Sequence, residues 1–197
     1  MKNQVKKGEK KMPQAKDALQ KWLIGTLTGA LLCGAMIMNP LHAQQFHSDH
    51  QQNSKLVENV RNATRQFLDV NNAGPAGYER AFGCVSGPDH GAMGIHYVNG
   101  TLVGKNELNI EYPQALIYEP IGNKRQFVGV EYIVDAKKWL KDHDNQPPSL
   151  DGQDFQFVAA PNRFNLGDFF ELHVWAWREN PQGAYVDWNN HVSCEGE

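Results

Sequence analysis

Residues 169–178 alternate so as to give a strand two dissimilar faces. Successive side chains of a strand point to opposite sides, which puts Phe170, Leu172, Val174 and Ala176 on one face and Phe169, Glu171, His173, Trp175 and Trp177 on the other. The first is an ordinary core face. The second combines a carboxylate, an imidazole and two indoles, which suits a ligand pocket or a metal-lined cavity and is seldom found on a plain solvent face. Shorter runs rich in β-branched and aromatic residues recur at 93–98, 115–119, 127–134, 153–158 and 184–188, parted by turn residues at 99–100, 121–124 and 180–183.

Upstream the period changes from two to helical. From Ser54, an N-cap residue, Leu56, Val57, Val60, Ala63, Phe67 and Leu68 recur at helical spacing until Asn71-Asn72-Ala73-Gly74-Pro75 ends the pattern. This predicts an amphipathic helix whose apolar stripe is meant for a sheet. Residues 137–141 predict a further helical turn before the Pro147-Pro148 loop. The elements together predict an α+β fold, mainly antiparallel β-sheet curled into a half-barrel or small barrel, with the amphipathic helix at its N-terminal end.

The start of the chain bears on compartment. Seven lysines against Glu9 and Asp17 fill residues 1–21, an apolar run follows over 22–38, and Asn39-Pro40-Leu41-His42-Ala43 leads into a polar stretch. That order predicts a secretory signal peptide over 1–43, cleaved after Ala43. An uncleaved anchor and a lipoprotein at Cys33 compete with it, the second weakened by the bulky Leu32. A flexible lead-in over 44–53 and a single β-rich globular domain over 54–197 would follow. Without residues 1–43 the chain keeps 12 basic against 20 acidic residues, a formal charge of −8, which argues against nucleic acid as a partner. Contact with a membrane is expected only through the leader. Cys84 and Cys194 alone follow it, and in a periplasmic or secreted setting they are expected to form a disulfide. A catalytic thiol at Cys84, near Asp89 and His90, is the rival and suits an oxidising compartment poorly.

No His-Glu-x-x-His, P-loop, Gly-x-Ser-x-Gly, dinucleotide-binding glycine pattern or Cys-x-x-Cys occurs in the chain. The chemical signal is instead His96, Glu131 and His173, each in the middle of an expected strand with apolar neighbours. Such groups are costly to bury unless paired or liganded. If the turn near Asn123 closes a hairpin, Glu131 lies opposite about Ala115, and Glu119 lies near the turn, more than roughly 10 Å from Glu131 along the ladder. The expected metal ligands are therefore His96, Glu131 and His173, with His90 and Glu119 in reserve and Tyr97, Tyr132, Glu171, Trp175 and Trp177 lining the pocket. Two imidazoles and a carboxylate form a ligand set for zinc, copper, iron or nickel. The competing view is a structural network in which these groups satisfy one another without a metal.

One further observation concerns the ordered set Met93-Gly94-Ile95-His96-Tyr97-Val98-Asn99, Leu116-Ile117-Tyr118-Glu119-Pro120, Val128-Gly129-Val130-Glu131-Tyr132, Leu172-His173-Val174-Trp175-Ala176-Trp177-Arg178-Glu179-Asn180-Pro181 and Val192-Ser193-Cys194. Across roughly residues 82–195 it resembles a group of uncharacterised exported bacterial proteins. The resemblance implies an exported bacterial origin and brings no activity with it. Three functions stay open: a pocket that binds a transition metal or small ligand, a hydrolase or lyase using the same residues with a metal or as general acid and base, and a structural envelope protein without a site.

Overall fold

In the helical stretch the side-chain oxygen of Ser54 accepts from the Val57 amide at 3.3 Å and opens helix α1 (Lys55–Thr64), as the N-cap reading expects. Leu56, Val57, Val60 and Thr64 are buried. Thr64 bonds back to the Val60 carbonyl at 2.6 Å, and beyond it the helix tightens into a 3-10 turn over Arg65–Leu68. The change of pitch keeps Phe67 buried but turns Leu68 out to solvent, against the helical stripe drawn through both.

The coordinates are a computed structural model and describe residues 51–87 and 89–197. The signal peptide expected at 1–43 and most of the lead-in lie outside the described residues. The end of the lead-in is not loose: Gln52 is buried and the Gln51 side chain accepts from the Ala184 amide.

Among the described residues nine strands follow α1: β1 (Glu79–Arg80), β2 (Val85–Gly87), β3 (Gly91–Val98), β4 (Ala115–Ile121), β5 (Lys124–Asp135), β6 (Ser149–Leu150), β7 (Gln153–Asp154), β8 (Gln156–Val158) and β9 (Phe169–Val174). Seven form one antiparallel sheet in the order β1-β3-β4-β5-β9-β8, with β2 also on β3, while β6 and β7 pair separately. The sheet is open: β8 at one edge does not meet β1 and β2 at the other, so the small barrel expected from the sequence is not formed. Gly122, at φ 56°, and Asn123 turn β4 into β5, and Ala115 stands opposite Glu131 as the hairpin argument requires. Two short helices were less legible. Residues 137–141 lie within α3 (Ala136–Asp142), whereas Asn99-Gly100, expected as a turn, starts α2 (Gly100–Lys105) because the Asn99 side chain caps the amides of Thr101 and Leu102. Residues 184–188 are not a strand, and 153–158 split into β7 and β8 around Phe155.

Period-two alternation sorts the sheet into two faces. Leu116 and Tyr118 of β4, Val130, Tyr132 and Val134 of β5, and Phe170, Leu172 and Val174 of β9 form the main core with α1. The opposite face carries two smaller apolar clusters, one of Ala92, Ile117, Val128, Trp175 and Val192, the other of Ala115, Ile133 and Phe169. The buried His96, Glu131, Glu171 and His173 belong to the same face as these two clusters. The C-terminal segment reaches this face and is fastened there. Cys194 is bonded to Cys84 with a Cα separation of 5.6 Å, Glu119 accepts from the Ser193 amide at 3.0 Å, and Arg178 pairs with Glu119. Closing a loop of 110 residues contributes on the order of 4–5 kcal/mol through the unfolded chain. The disulfide is compatible with an exported protein. Among the described residues no helix is long and apolar enough to cross a membrane.

Val174 has no exposed surface and pairs with Val130 at the centre of the main core. Val174→Asp places an unpaired charge there and should cost more than about 4 kcal/mol, enough to abolish cooperative folding. A soluble Val174→Asp protein with a sharp melting transition would mean that this face is not the core.

Candidate metal centre

The β4–β5–β9 register builds the site. Glu131 faces Ala115 across one ladder and His173 across the other. His96 pairs with Ile117, two residues along β4 from Ala115, so it approaches Glu131 diagonally from a strand once removed. Ala115 offers only a methyl between them. His96 Nε2 and Glu131 Oε2 lie 3.4 Å apart, and the two imidazole centroids 5.9 Å apart at 89°. Each of His96, Glu131 and His173 has a ligand atom within 4.8 Å of the others', and the residues are 2%, 3% and 1% exposed. This buried group could hold a metal ion.

A second group shares His173. Its Nδ1 lies 3.5 Å from Asp187 Oδ1, and Glu171, His173 and Asp187 also hold their ligand atoms within 4.8 Å of one another. Gln156 on β8 donates to Asp187 Oδ2 at 2.8 Å, and the Trp175 indole donates to the Val186 carbonyl at 2.6 Å. These bonds fix the loop that carries Asp187. The arrangement resembles a metal-bound histidine held by a carboxylate on its far nitrogen, which sets tautomer and ring orientation. Asp187 lies in 184–188, where the sequence predicts a strand and the chain forms a loop instead. A lone acid between Val186 and Trp188 was the available signal.

Burial and charge pull these groups in different directions. Burial lowers the pKa of His96; the Glu131 charge opposes this and His173 adds to it, so the ring is held neutral. For His173 burial also acts to lower the pKa, but Glu131 and Asp187 together outweigh it and the net shift is upward. Burial pushes Glu171 up to about 10, helped by the Glu131 charge and a hydrogen bond to it, so Glu171 is a neutral acid at pH 7. Asp187 is held below its ordinary value: burial acts to raise it, and the contacts with His173 and Gln156 prevail. Both ring nitrogens of His96 and of His173 are nonetheless without a hydrogen-bond partner of normal geometry among the described residues.

The remaining expected site residues are divided. Trp175 lies beside His173, ring centroids 6.0 Å apart and nearly parallel, and Glu171 shares their face. Tyr97 and Tyr132 do not line the site. Each directly follows a site residue in its strand and must point to the other face, where Tyr97 packs on Tyr118 and Tyr132 donates to the Ile110 carbonyl. Trp177 also lies on the helix side. The strand ends at Val174, the Ala176 amide bonds back to the Val174 carbonyl, and the amides of Trp177 and Arg178 both bond to the Val128 carbonyl. Alternation is lost there, and the Trp177 indole donates to Thr64. Of the reserve ligands, His90 is an exposed turn residue, and Glu119 is engaged by Arg178 and Ser193.

A neutral Glu171 has a testable sign. Between its ordinary 4.5 and about 10 the folded chain holds a proton that the unfolded chain has lost, so stability falls as pH rises. His173, also raised, adds a fall of the same sign above its ordinary 6.5. Glu171→Gln keeps a neutral donor in place and should change stability at pH 7 by less than about 1 kcal/mol. Urea unfolding from pH 6 to 9 should then show a shallower decline for the variant than for the wild type; equal slopes would show that Glu171 is ionised in the folded chain. Comparison with models of known families, with curated proteins and with solved structures gives no match for this chain.

Proposed function

We propose that the protein binds a transition metal ion through His96, Glu131 and His173, with Asp187 orienting His173. The observation that carries this reading is the pair of buried imidazoles, none of whose ring nitrogens makes a hydrogen bond of normal geometry, converging on a buried glutamate within 4.8 Å, with carboxylates only at 3.4 and 3.5 Å from two of those nitrogens. A structural network would be expected to satisfy those nitrogens, since buried polar groups nearly always are. The 3.4 Å separation of His96 Nε2 and Glu131 Oε2 suits two ligands of one tetrahedral ion, whose bonds of about 2.0–2.2 Å place neighbouring ligand atoms roughly 3.3–3.6 Å apart. Two imidazoles and one carboxylate leave a coordination position open, and zinc, copper, iron and nickel all accept this set. The site belongs to an exported protein on this reading, consistent with the Cys84–Cys194 bond. An acid–base hydrolase or lyase would use Glu131 as base, but would leave unexplained why neither imidazole makes a hydrogen bond of normal geometry.

Titration with Co²⁺ tests the assignment. The wild type should take up one equivalent, and His96→Ala and His173→Ala should each weaken binding by about 100-fold or more. Asp187→Asn should weaken it by about 10-fold, the usual effect of losing an orienting partner. The metal must displace the proton that His173 holds more firmly than an ordinary histidine, so affinity should fall as pH is lowered from 8 to 6. Binding that is unchanged in His173→Ala, or absent from the wild type, would contradict the reading.

A further inference from the structure

His96 and Glu131 also form the polar end of a cavity that the metal reading does not use. The cavity has a volume of about 180 Å³, and its walls include Val98, Val103, Ile133, Phe164 and Phe169. Phe82 and Leu166 line it too, and both are among the exposed large apolar residues, which gives the cavity a mouth. Phe164 lies between the mouth and the polar end, 5.4 Å from the Phe82 ring and 6.3 Å from that of His96.

We propose that this cavity binds a small uncharged ring molecule bearing one hydrogen-bonding atom, of the size and polarity of phenol. The volume is that of a single six-membered ring, since an apolar cavity of about 150 Å³ holds benzene. The walls are aliphatic and aromatic, which favours a ring over a flexible polar chain. His96 and Glu131 are the only ionisable side chains among the lining residues, and the buried His96 nitrogens make no hydrogen bond of normal geometry, Nε2 standing 3.4 Å from Glu131. A ligand hydroxyl would satisfy one of them. An anion is disfavoured twice, by the cost of burying its charge between apolar walls and by Glu131 at the polar end. The inference concerns the chain's own walls and holds whether or not an ion is bound.

The test uses the full protein treated with chelator, so that no ligand can be held through a metal. Phenol should bind with a Kd of ~1 mM, the scale for so few atoms. It should shift the methyl resonances of Val98, Val103 and Ile133 and leave those of Val57 and Val60, under the other face, in place. Benzoate should bind at least tenfold more weakly. Val103→Trp, which fills the cavity, and Leu166→Trp, which obstructs the exposed mouth and spares the core, should each weaken phenol at least tenfold. The inference is overturned if phenol leaves the cavity methyls unshifted, if benzoate binds as well, or if the folded Leu166→Trp protein binds phenol like the wild type. Co²⁺ titration reads the metal site separately. Phenol binding without Co²⁺ binding would uphold the cavity and remove the metal, whereas Co²⁺ binding without phenol binding would overturn the cavity alone.

Discussion

Two imidazoles and two carboxyl groups buried on one face of an open sheet are the constraint to which the rest of this structure answers. His96, Glu131, Glu171 and His173 are each no more than 3% exposed. Ionised and unpaired, any one of them would cost several kcal/mol or more. The fold accommodates them by sharing charge. Glu171 keeps its proton, His96 is held neutral, and His173 lies between Glu131 and Asp187, which favour its charged form. The solution is incomplete, because the imidazole nitrogens end without good hydrogen bonds. A metal ion in place of the His173 proton would turn each of those nitrogens that it bound into a ligand.

Satisfying this polar group has consequences for the surrounding chain. Apolar packing on the site face is divided into two clusters rather than one, and stability rests on the single continuous core beneath α1. The C-terminal segment, with Val192 packed among Ile117, Val128 and Trp175, is fixed by the disulfide and by Glu119. Glu119 therefore holds the C-terminal segment against this face. The loop that carries Asp187 has no ladder of its own and depends on Trp175, Gln156 and Asn180 for its position.

Much of this was legible in the sequence, for reasons that particular residues show. Strand periodicity placed Glu171, His173 and Trp175 together because β9 is regular over Phe169–Val174, and a tight turn at Gly122-Asn123 fixed Glu131 against Ala115. The same rule, applied consistently, excludes Tyr97 and Tyr132, which each follow a site residue directly. Trp177 could not be placed by periodicity, since the chain leaves the sheet after Val174 and two successive amides share the Val128 carbonyl. Asp187 left only a faint signal, a lone acid between Val186 and Trp188, because tertiary contacts and no local pattern bring it to His173. The open sheet also lay beyond reach: whether an edge closes depends on pairing between distant strands, and β8 is only three residues long.

The convergence of His96, Glu131 and His173 is proposed to hold a metal. Elemental analysis of the protein purified from its native compartment, without added metal and without chelator, tests it most directly. The wild type should carry close to one zinc, copper, iron or nickel per chain, and His173→Ala should lose that metal. A folded wild-type protein that carries no stoichiometric transition metal, and takes none up, would contradict it and leave the four residues as a structural network.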